Sequence, residues 1–334
     1  MIGLRRGLVK GARIAALGVS IPERVVTNDE LAATLDTSDD WIRSRTGIRE
    51  RRVTAPHECT SDVAVAAALD LLHSNGHRAE DIDLVISTSL VPDMVFPATA
   101  SVIAERIGAV NAGAFDVQSG CTGFVYGLAT AIAFVASGFY QNVLVTGAEA
   151  LSKALDWEDR STCVLFGDGA GAVLVTPCDS CLFSFDLGND GTGSPFLNMP
   201  AGGTRLPATH DTVDDRGHYL RMNGREVYRF ATRKVVDSCR RTLTDAGLQP
   251  EDVDLFVPHQ ANLRIIEKVA DQLGFRDDQV FYNLDRFGNT SCASIPLCLH
   301  DAVAQGRLKP GDTLLMVGFG AGLTWGSALT RWQL

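Results

Sequence analysis

One cysteine of the chain lies in surroundings that suit a nucleophile. Cys121 follows a short predicted strand, and an uncharged segment with the pattern of a helix comes directly after it. Ser119, Gly120 and Gly123 flank it, so the backbone can turn sharply there and another molecule can come close. The unpaired N–H groups and the dipole of the following helix would favour a thiolate. The segment therefore predicts a cysteine nucleophile.

Two other polar side chains lie at predicted loops and could act on the same substrate. His259 follows the apolar run 255–258, and Asn289 lies in a tight loop that leads into a helix. Sites in α/β folds lie at such strand ends. A cysteine can form a thioester, while histidine and asparagine can donate hydrogen bonds to a carbonyl oxygen that gains charge. From residue types alone, packing remains open for Cys121 and His259, and a simple turn for Asn289.

Length and composition exclude several classes of protein. The chain has 334 residues, 46% of them apolar, enough for one large domain or two ordinary ones. Its net charge of −10 argues against general nucleic-acid binding. The short apolar run near the N-terminus lacks the length and cleavage site of a signal peptide. The uncharged stretch 117–148 is broken by polar and small residues, which favours a buried helix and strand over a membrane span.

The cysteine and glycine patterns argue against metal and nucleotide sites. The eight cysteines are irregularly spaced, which indicates a reducing compartment rather than a disulfide framework. Cys178 and Cys181 form a C-x-x-C pair without the further ligands of a metal site, and we interpret them as small residues at a domain boundary. The glycine run 167–171 leads into a strand rather than a helix, so it lacks the dinucleotide-binding pattern. Five other cysteines are interpreted as packing residues: Cys59, Cys163, Cys239, Cys292 and Cys298.

The order of predicted elements repeats within the chain. Glu80–Leu84 has a counterpart in Glu251–Leu255, and each enters a predicted strand after a helix. The glycine run 167–171 has a counterpart in residues 318–322, and both lead into a closing strand. The segment around Asn289 holds the place in the second half that the Cys121 segment holds in the first. These repeats indicate a duplicated unit.

Alternating strands and helices favour an α/β fold whose sheets are covered by helices. We predict two similar halves, residues 11–178 with the nucleophile and residues 179–334 with His259 and Asn289. The boundary is expected near residues 176–182. Because equivalent strand ends of such a fold face one central crevice, the three polar groups could converge there.

Four motifs, in this order, resemble those of β-ketoacyl-acyl-carrier-protein synthase III, a family of the thiolase superfamily. They are Ser119–Gly123, His259–Arg264, Gly288–Pro296 and Gly318–Gly326, and weaker matches extend over nearly the whole chain. The resemblance implies the duplicated thiolase fold. It also implies condensation of an acyl-CoA primer, either acetyl or short and branched, with malonyl-acyl carrier protein. The products would be a β-ketoacyl thioester, CO₂ and free CoA, at the start of fatty acid synthesis.

The resemblance gives each polar residue a role. Cys121 would carry the acyl group, and His259 and Asn289 would bind the malonyl thioester carbonyl and stabilise the enolate left by loss of CO₂. The backbone N–H groups of Cys121 and Ala321 would form the oxyanion hole. No metal or other cofactor is expected, because the charge of the enolate would meet two fixed donors.

The resemblance also places CoA and a second subunit. The adenine would stack between an aromatic ring and a guanidinium at the mouth of the site, and the residues implied for CoA are Thr37, Trp41, Arg45, Arg160 and Asn262. Phe96 matches a residue that reaches across a homodimer interface into the acyl pocket of the partner. Leu323 replaces a phenylalanine common in the last glycine motif and is expected to affect that pocket.

Docking of the acidic carrier protein would use a basic patch. Arg229, Arg264 and Lys268 match or lie near the positions implied for it, but Asp271 and Gln272 stand where many members carry lysines. The resemblance therefore leaves the strength of docking open. A cytoplasmic location is expected.

Several alternatives remain beside this function. Related enzymes of secondary metabolism start polyketide or alkylquinolone synthesis or transfer acyl groups, but those that transfer to oxygen or nitrogen often lose the asparagine. A degradative thiolase would need a second cysteine in the last glycine motif, which residues 318–322 lack. A cysteine hydrolase would need a histidine positioned as base. A non-catalytic acyl-CoA-binding relative should have lost part of the triad, whereas all three residues are present.

Overall fold

The computed structural model describes residues 7–334, in which strands and helices alternate. The strands are β1 (Leu8–Ser20), β2 (Arg24–Thr27), β3 (Glu50–Val53), β4 (Leu84–Thr88), β5 (Gly113–Val117), β6 (Val143–Glu149), β7 (Gly169–Asn189), β8 (Leu197–Asn198), β9 (Arg221–Met222), β10 (Leu255–Pro258), β11 (Thr313–Gly320) and β12 (Thr324–Arg331). The α-helices are α1 (Asn28–Ala32), α2 (Asp39–Thr46), α3 (Thr60–Asn75), α4 (Thr99–Ile107), α5 (Gly123–Ala136), α6 (His210–Asp214), α7 (Gly224–Ala246), α8 (Leu263–Leu273), α9 (Leu284–Phe287) and α10 (Ser294–Ala304).

The main sheet has the same strand pattern in its two parts. In the first, β4 pairs in parallel with β5 and β6, β6 pairs antiparallel with β7, and β7 pairs antiparallel with β1. In the second, β10 pairs in parallel with β11 and bridges in parallel to Val280 on its other side. There β11 pairs antiparallel with β12, and β12 pairs antiparallel with the second part of β7. Both repeated Glu-Asp segments lead into a strand, β4 and β10, as predicted, and each forms a short 3₁₀ turn before it.

Apolar packing arranges these parts in layers. Helices α3 and α4 cover the outer face of the first part, and α7 and α8 cover that of the second. Helix α5 contacts β4 and β6 on one side and β11 and β12 on the other, so it lies between the two parts together with α10. Phe124, Leu128 and Ile132 of α5 have no solvent exposure. The uncharged sequence of α5 is therefore that of a helix at the centre of the molecule.

The predicted boundary falls inside β7 and not in a linker. Residues 170–178 and 182–184 of β7 pair with β1, and residues 179–181 between them have no partner in β1. A disulfide joins Cys178 and Cys181 across this bulge, which corrects our interpretation of the pair as two separate small residues. The C-x-x-C spacing was the available signal for this pairing, whereas the bulge that brings the two cysteines together is a feature of the paired strands. The division at residues 178 and 179 stays a prediction.

Membrane-spanning helices were also considered. Within residues 7–334, no helix combines the length and the apolar character needed to cross a bilayer.

Candidate active site

Side chains from three separate loops line one cavity of about 200 Å³. Cys121 lies between β5 and α5, His259 follows β10, and Asn289 lies between α9 and α10. All three are more than nine-tenths buried. The structure thus brings together the three residues that the sequence singles out, one from the first half and two from the second.

Glycines allow the backbone around Cys121 to approach the last glycine motif. Gly120 has φ +56°, and a Cβ there would lie 2.6 Å from the amide nitrogen of Ala321. A Cβ on Gly320 would lie 2.5 Å from the amide nitrogen of Cys121. The amides of Cys121 and Ala321, the predicted oxyanion hole, therefore belong to two directly packed segments. Neither amide donates to a backbone carbonyl within residues 7–334.

The Cys121 thiol is protonated at rest, which differs from the expected thiolate. Burial raises the pKa of Cys121 to about 12; a hydrogen bond from Ser291 opposes this rise, and the charge of Glu149 adds to it. The sequence shows the start of α5 but not the depth at which it lies, and depth decides the pKa here. A thiol in this state would have to lose its proton before or during any nucleophilic attack.

His259 is held from three sides. Its backbone N–H donates to the Val317 carbonyl (2.7 Å), and its ring packs edge-on against Phe319 at 5.2 Å between centroids. Nδ1 lies 2.6 Å from the hydroxyl of Ser294, at the start of α10. Burial lowers the pKa of His259 to about 3, so the ring is neutral at pH 7.

The side chain of Asn289 is oriented by its own loop. Its Oδ1 accepts from the backbone N–H of Ser291 (2.9 Å), whose φ of +49° is a conformation rare for residues other than glycine. The Asn289 backbone donates to Leu165 (2.8 Å) and accepts from Gly167 (3.0 Å). Because Oδ1 is occupied, Nδ2 is the end of the amide that is available to a ligand.

A buried carboxylate behind the nucleophile was missed by the sequence analysis. Glu149 ends β6 and accepts hydrogen bonds from the Ser89 hydroxyl (3.1 Å) and from the backbone N–H groups of Leu90 (2.9 Å) and Val91 (3.3 Å). Burial raises the pKa of Glu149, and these hydrogen bonds oppose the rise. A single acid at the end of an otherwise apolar strand was the available signal. Glu149 thus joins the loop after β4 to the end of β6, and its Oε1 also lies 3.5 Å from the backbone nitrogen of Cys292, in the segment that follows Asn289.

Cys292 also contacts this segment, which corrects its interpretation as an ordinary packing residue. Its thiol donates to the carbonyl of Gly120 (3.1 Å), next to the nucleophile. A Cβ on Gly123 would lie 2.8 Å from the same sulfur. Cys292 therefore supports the backbone that carries Cys121.

A second cavity, of about 400 Å³, adjoins the nucleophile segment. Gly120 and Ala321 line it together with Leu90, Leu197 and Leu220, which gives it an apolar wall suited to an acyl chain. Leu323, which the sequence analysis expected to affect the acyl pocket, does not line this cavity. It is buried against Gly193, on the side of a separate cleft that also contains Arg229. Gly322 and Thr324, its neighbours in the chain, line the cavity, but the side chain of Leu323 packs against Gly193 instead.

Three of the predicted CoA residues, Trp41, Arg45 and Arg160, form one cluster. The guanidinium of Arg45 lies 5.1 Å from the centre of the Trp41 ring, and that of Arg160 lies 5.4 Å from it. Arg160 also pairs with Asp36 (3.2 Å), and the Thr37 hydroxyl is buried without a hydrogen-bond partner in the described chain. Stacking of an adenine between Trp41 and Arg160 requires the two side chains to separate first.

Asn262 already has structural hydrogen bonds. It caps α8 by accepting from the Arg264 N–H (2.9 Å), and its Nδ2 donates to the Arg45 carbonyl (3.1 Å). It lines the same cavity as Cys121, as a residue in contact with the pantetheine arm should. Its contact with pantetheine stays a prediction.

The three predicted docking residues are exposed on α7 and α8, and each has a partner within the chain. Arg229 pairs with Glu226 (3.1 Å) and Lys268 with Asp271 (3.1 Å). Arg264 donates to the Ser44 carbonyl (2.8 Å). Asp271 thus pairs with the lysine expected to take part in docking.

Two further predictions concern the surface and metals. Phe96 is 82% exposed and follows Met94 and Val95, which are 48% and 87% exposed, so this loop presents an apolar surface.

Residues 7–334 contain no group of three or more His, Cys, Asp or Glu residues arranged to hold a metal ion.

Comparison with known proteins decides the family. A family model for 3-oxoacyl-[acyl-carrier-protein] synthase III matches residues 115–191, and the model for its C-terminal part matches residues 243–332. The β-ketoacyl-[acyl-carrier-protein] synthase III of Caldanaerobacter subterraneus is 50% identical over 326 residues, covering 96% of this chain and 98% of that protein. The chain belongs to the 3-oxoacyl-[acyl-carrier-protein] synthase III family. This confirms the resemblance seen in the four motifs, and the synthase is an acyltransferase of the condensing class.

Solved structures confirm the predicted duplicated α/β fold of this synthase. The synthase III from Thermus thermophilus is 48% identical with a TM-score of 0.89, covering 96% of this chain and 99% of that one. The priming β-ketosynthase from the R1128 polyketide biosynthetic pathway is 38% identical with a TM-score of 0.90, covering 99% of both chains.

Proposed function

We propose that this synthase joins an acyl-CoA primer to malonyl-acyl carrier protein through Cys121, His259 and Asn289. One observation carries the assignment of residues: three loops from both halves of the chain bring these side chains to a single buried cavity. The reaction is the one that the family name describes, and fatty acid initiation is the proposed pathway.

In the first half-reaction, the Cys121 sulfur bonds to the acyl carbon and the bond from that carbon to the CoA sulfur breaks. CoA leaves as a thiol with the proton that Cys121 gives up. The N–H groups of Cys121 and Ala321 receive the negative oxygen of the tetrahedral adduct. The apolar cavity beside Gly120 and Ala321 would then hold the acyl chain.

In the second half-reaction, the malonyl carbonyl binds beside His259 and Asn289. The bond to the carboxylate breaks, CO₂ leaves, and the electron pair becomes an enolate whose oxygen accepts from Asn289 Nδ2. The enolate carbon attacks the acyl-cysteine carbonyl. The Cys121 sulfur leaves as a thiolate and takes up one proton from the solvent, and the β-ketoacyl thioester remains on the carrier protein. No other cofactor is part of this proposal.

Substrate and partner contacts are part of the same proposal. Trp41 and Arg160 would hold the adenine, with Thr37, Arg45 and Asn262 nearby. Arg229, Arg264 and Lys268 would contact the carrier protein once they exchange their present partners. A homodimer would cover the apolar loop that ends in Phe96, since a ring that is 82% exposed is otherwise unfavourable. These substrates would place the reaction in the cytoplasm.

A second candidate is the priming step of a polyketide pathway. The similarity to the R1128 priming ketosynthase supports it, because the same chemistry serves both pathways. The two differ in the primer and in the carrier protein that is accepted. Relative rates with acetyl-CoA and longer acyl-CoAs, measured with the two types of carrier protein, would separate them.

The test is the mass of the acyl-enzyme. Incubation with acyl-CoA should add one acyl group to Cys121 in the natural protein and none in Cys121→Ser. Cys239→Ser is the matched control, because Cys239 is equally buried but lies in α7 away from the cavity. An acyl adduct on another residue, or none on the natural protein, would refute the assignment.

A further inference from the structure

Arg51, in β3, is the only lysine or arginine among residues 7–334 that is buried, and its side chain has no solvent exposure. Burial lowers the pKa of Arg51 to about 10, so the guanidinium still carries its charge at pH 7. A charge held away from water is costly unless its hydrogen bonds are well satisfied. Neither proposed half-reaction involves this buried cation directly.

The guanidinium of Arg51 joins β3 to other segments through neutral oxygens. Nη1 donates to the Val26 carbonyl (3.1 Å), and both Nη1 and Nη2 donate to Oδ1 of Asn28 (2.9 Å each). Nη2 also donates to the Val164 carbonyl (2.8 Å). None of these acceptors is a carboxylate. This position therefore uses the planar fork of donors that arginine provides, rather than an ion pair.

Val164 begins a segment that binds the loop of Asn289. The Leu165 carbonyl accepts from the backbone N–H of Asn289 (2.8 Å), and the Gly167 N–H donates to the Asn289 carbonyl (3.0 Å). Phe166, between them, forms a parallel β-bridge with Asn289. The backbone of Asn289 is therefore held on both sides by a segment whose first residue is held by Arg51.

Two glycines bring the stem of Arg51 against the same loop. A Cβ on Gly288 would lie 3.3 Å from Cβ of Arg51 and 2.8 Å from the Leu165 carbonyl oxygen. A Cβ on Gly167 would lie 3.0 Å from Cβ of Arg51 and would also meet the carbonyl of Phe287. In such close packing the loop cannot shift without moving Arg51 or its neighbours.

Asn28 extends the same network toward the predicted CoA cluster. Its Nδ2 donates to Oδ1 of Asp39 (2.8 Å), which begins α2, the helix that carries Trp41. A change at Arg51 can therefore alter acyl-CoA binding through Asn28. Acylation has to be compared at saturating acyl-CoA for this reason.

We propose that Arg51 is a positioning residue for Asn289, whose guanidinium fixes residues 164–167 so that Nδ2 of Asn289 stays where the enolate oxygen forms. This rests on the proposed donor role of Asn289. Arg51 does not touch the substrate and acts through the backbone of that segment. Lysine cannot replace it, because its single nitrogen does not present a planar fork to both Asn28 and Val164.

Two variants remove the fork in different ways. Arg51→Lys keeps a positive charge, whereas Arg51→Met keeps much of the volume without a charge, a change that buried sites often tolerate. In each variant we expect decarboxylation of malonyl-carrier protein to slow about 10- to 100-fold, the scale of a misplaced catalytic donor. Acylation of Cys121 at saturating acyl-CoA should change less than about threefold, and its amplitude measures the folded fraction.

Arg52→Lys is the matched control. Arg52 is the next residue of β3, and its partly exposed side chain pairs with Glu50 (3.3 Å). This variant should change neither rate. Normal decarboxylation in Arg51→Met, or equal losses of acylation and decarboxylation, would overturn the positioning role of Arg51. Normal decarboxylation in Arg51→Lys would overturn the need for the fork.

A double variant separates positioning from general support of the fold. If Arg51 acts through Asn289, Arg51→Met should cause no further loss of decarboxylation once Asn289→Ala has removed Nδ2. A further loss of about tenfold in the double variant would overturn the proposal, because Arg51 would then act by another route.

The two proposals can fail separately. Normal decarboxylation in Asn289→Ala would overturn the donor role of Asn289 itself. Slow decarboxylation in Asn289→Ala together with a normal rate in Arg51→Met would overturn only the role of Arg51.

Discussion

Replacement of Asn289 by alanine should separate the two half-reactions. The change removes Nδ2, the donor to the enolate oxygen, and leaves Cys121, His259 and both predicted oxyanion amides in place. Loss of one such donor costs about 10²–10³ in rate in other enzymes, or about 2.7–4 kcal/mol. We therefore expect decarboxylation and condensation to fall by about that factor, while acylation of Cys121 changes less than about threefold.

The structure also predicts an effect of Asn289→Ala on stability. Oδ1 is the acceptor for the Ser291 N–H, which is fully buried and would lose its partner. An unpaired buried amide costs about 1–3 kcal/mol, so the melting temperature should fall. Asn283→Ala is the control for this loss, because it removes another buried asparagine, whose Nδ2 donates to Asp301 outside the cavity. It should destabilise the protein without separating the half-reactions.

Two mass measurements complete this assay. Intact mass after mixing with acyl-CoA gives the acylation rate, and conversion of malonyl-carrier protein to the acetyl form gives decarboxylation. Asn289→Ala that condenses at the normal rate would refute the donor role. Equal losses in both half-reactions would show that the variant disturbs the nucleophile, and the separation of roles would then be wrong.

Two further predictions concern the resting thiol and the CoA entrance. Because burial raises the pKa of Cys121 to about 12, the fraction of thiolate should rise about tenfold per pH unit below that value. The rate of alkylation of Cys121 by iodoacetamide should therefore increase through pH 7–9 without a plateau. A plateau below pH 8 would contradict the protonated resting state. Trp41→Ala should raise the KM for acyl-CoA about tenfold with little change in kcat, since stacking on an aromatic ring contributes about 1–3 kcal/mol per base. Trp157→Ala, which removes a partly exposed tryptophan outside the Trp41 cluster, is its control and should leave the KM unchanged.

Local signals in the sequence predict most of the elements and the three polar residues. Residues 61–75 carry a helical pattern ended by a glycine, and α3 spans Thr60–Asn75 with Gly76 in the left-handed conformation. The repeated Glu-Asp segments predict equivalent entries into a strand, and β4 and β10 begin directly after them. Such features depend on neighbouring residues only, so the sequence contains what determines them.

Properties that depend on contacts between the halves were not predictable in this way. The pKa of Cys121 is set by burial beneath Gly320 and Ala321, nearly 200 positions away. The direction of Leu323 depends on space beside Gly193, and the contact of Cys292 with Gly120 crosses between the halves.

The burial that raises the pKa of Cys121 also strengthens the hydrogen bonds that N–H donors make in the same cavity. At rest Cys121 is a thiol, His259 is neutral and Asn289 is an amide, so none of the three bears a charge in the cavity. Glu149 is a nearby acid, and its carboxylate is occupied by backbone N–H groups and the Ser89 hydroxyl. In the proposed reaction the malonyl carboxylate adds a charge to the cavity, and loss of neutral CO₂ moves that charge to an enolate oxygen beside Asn289. In such a buried cavity a fixed N–H acts more strongly than in water. A more exposed site would ionise Cys121 more readily, but it would weaken the donors that make decarboxylation possible.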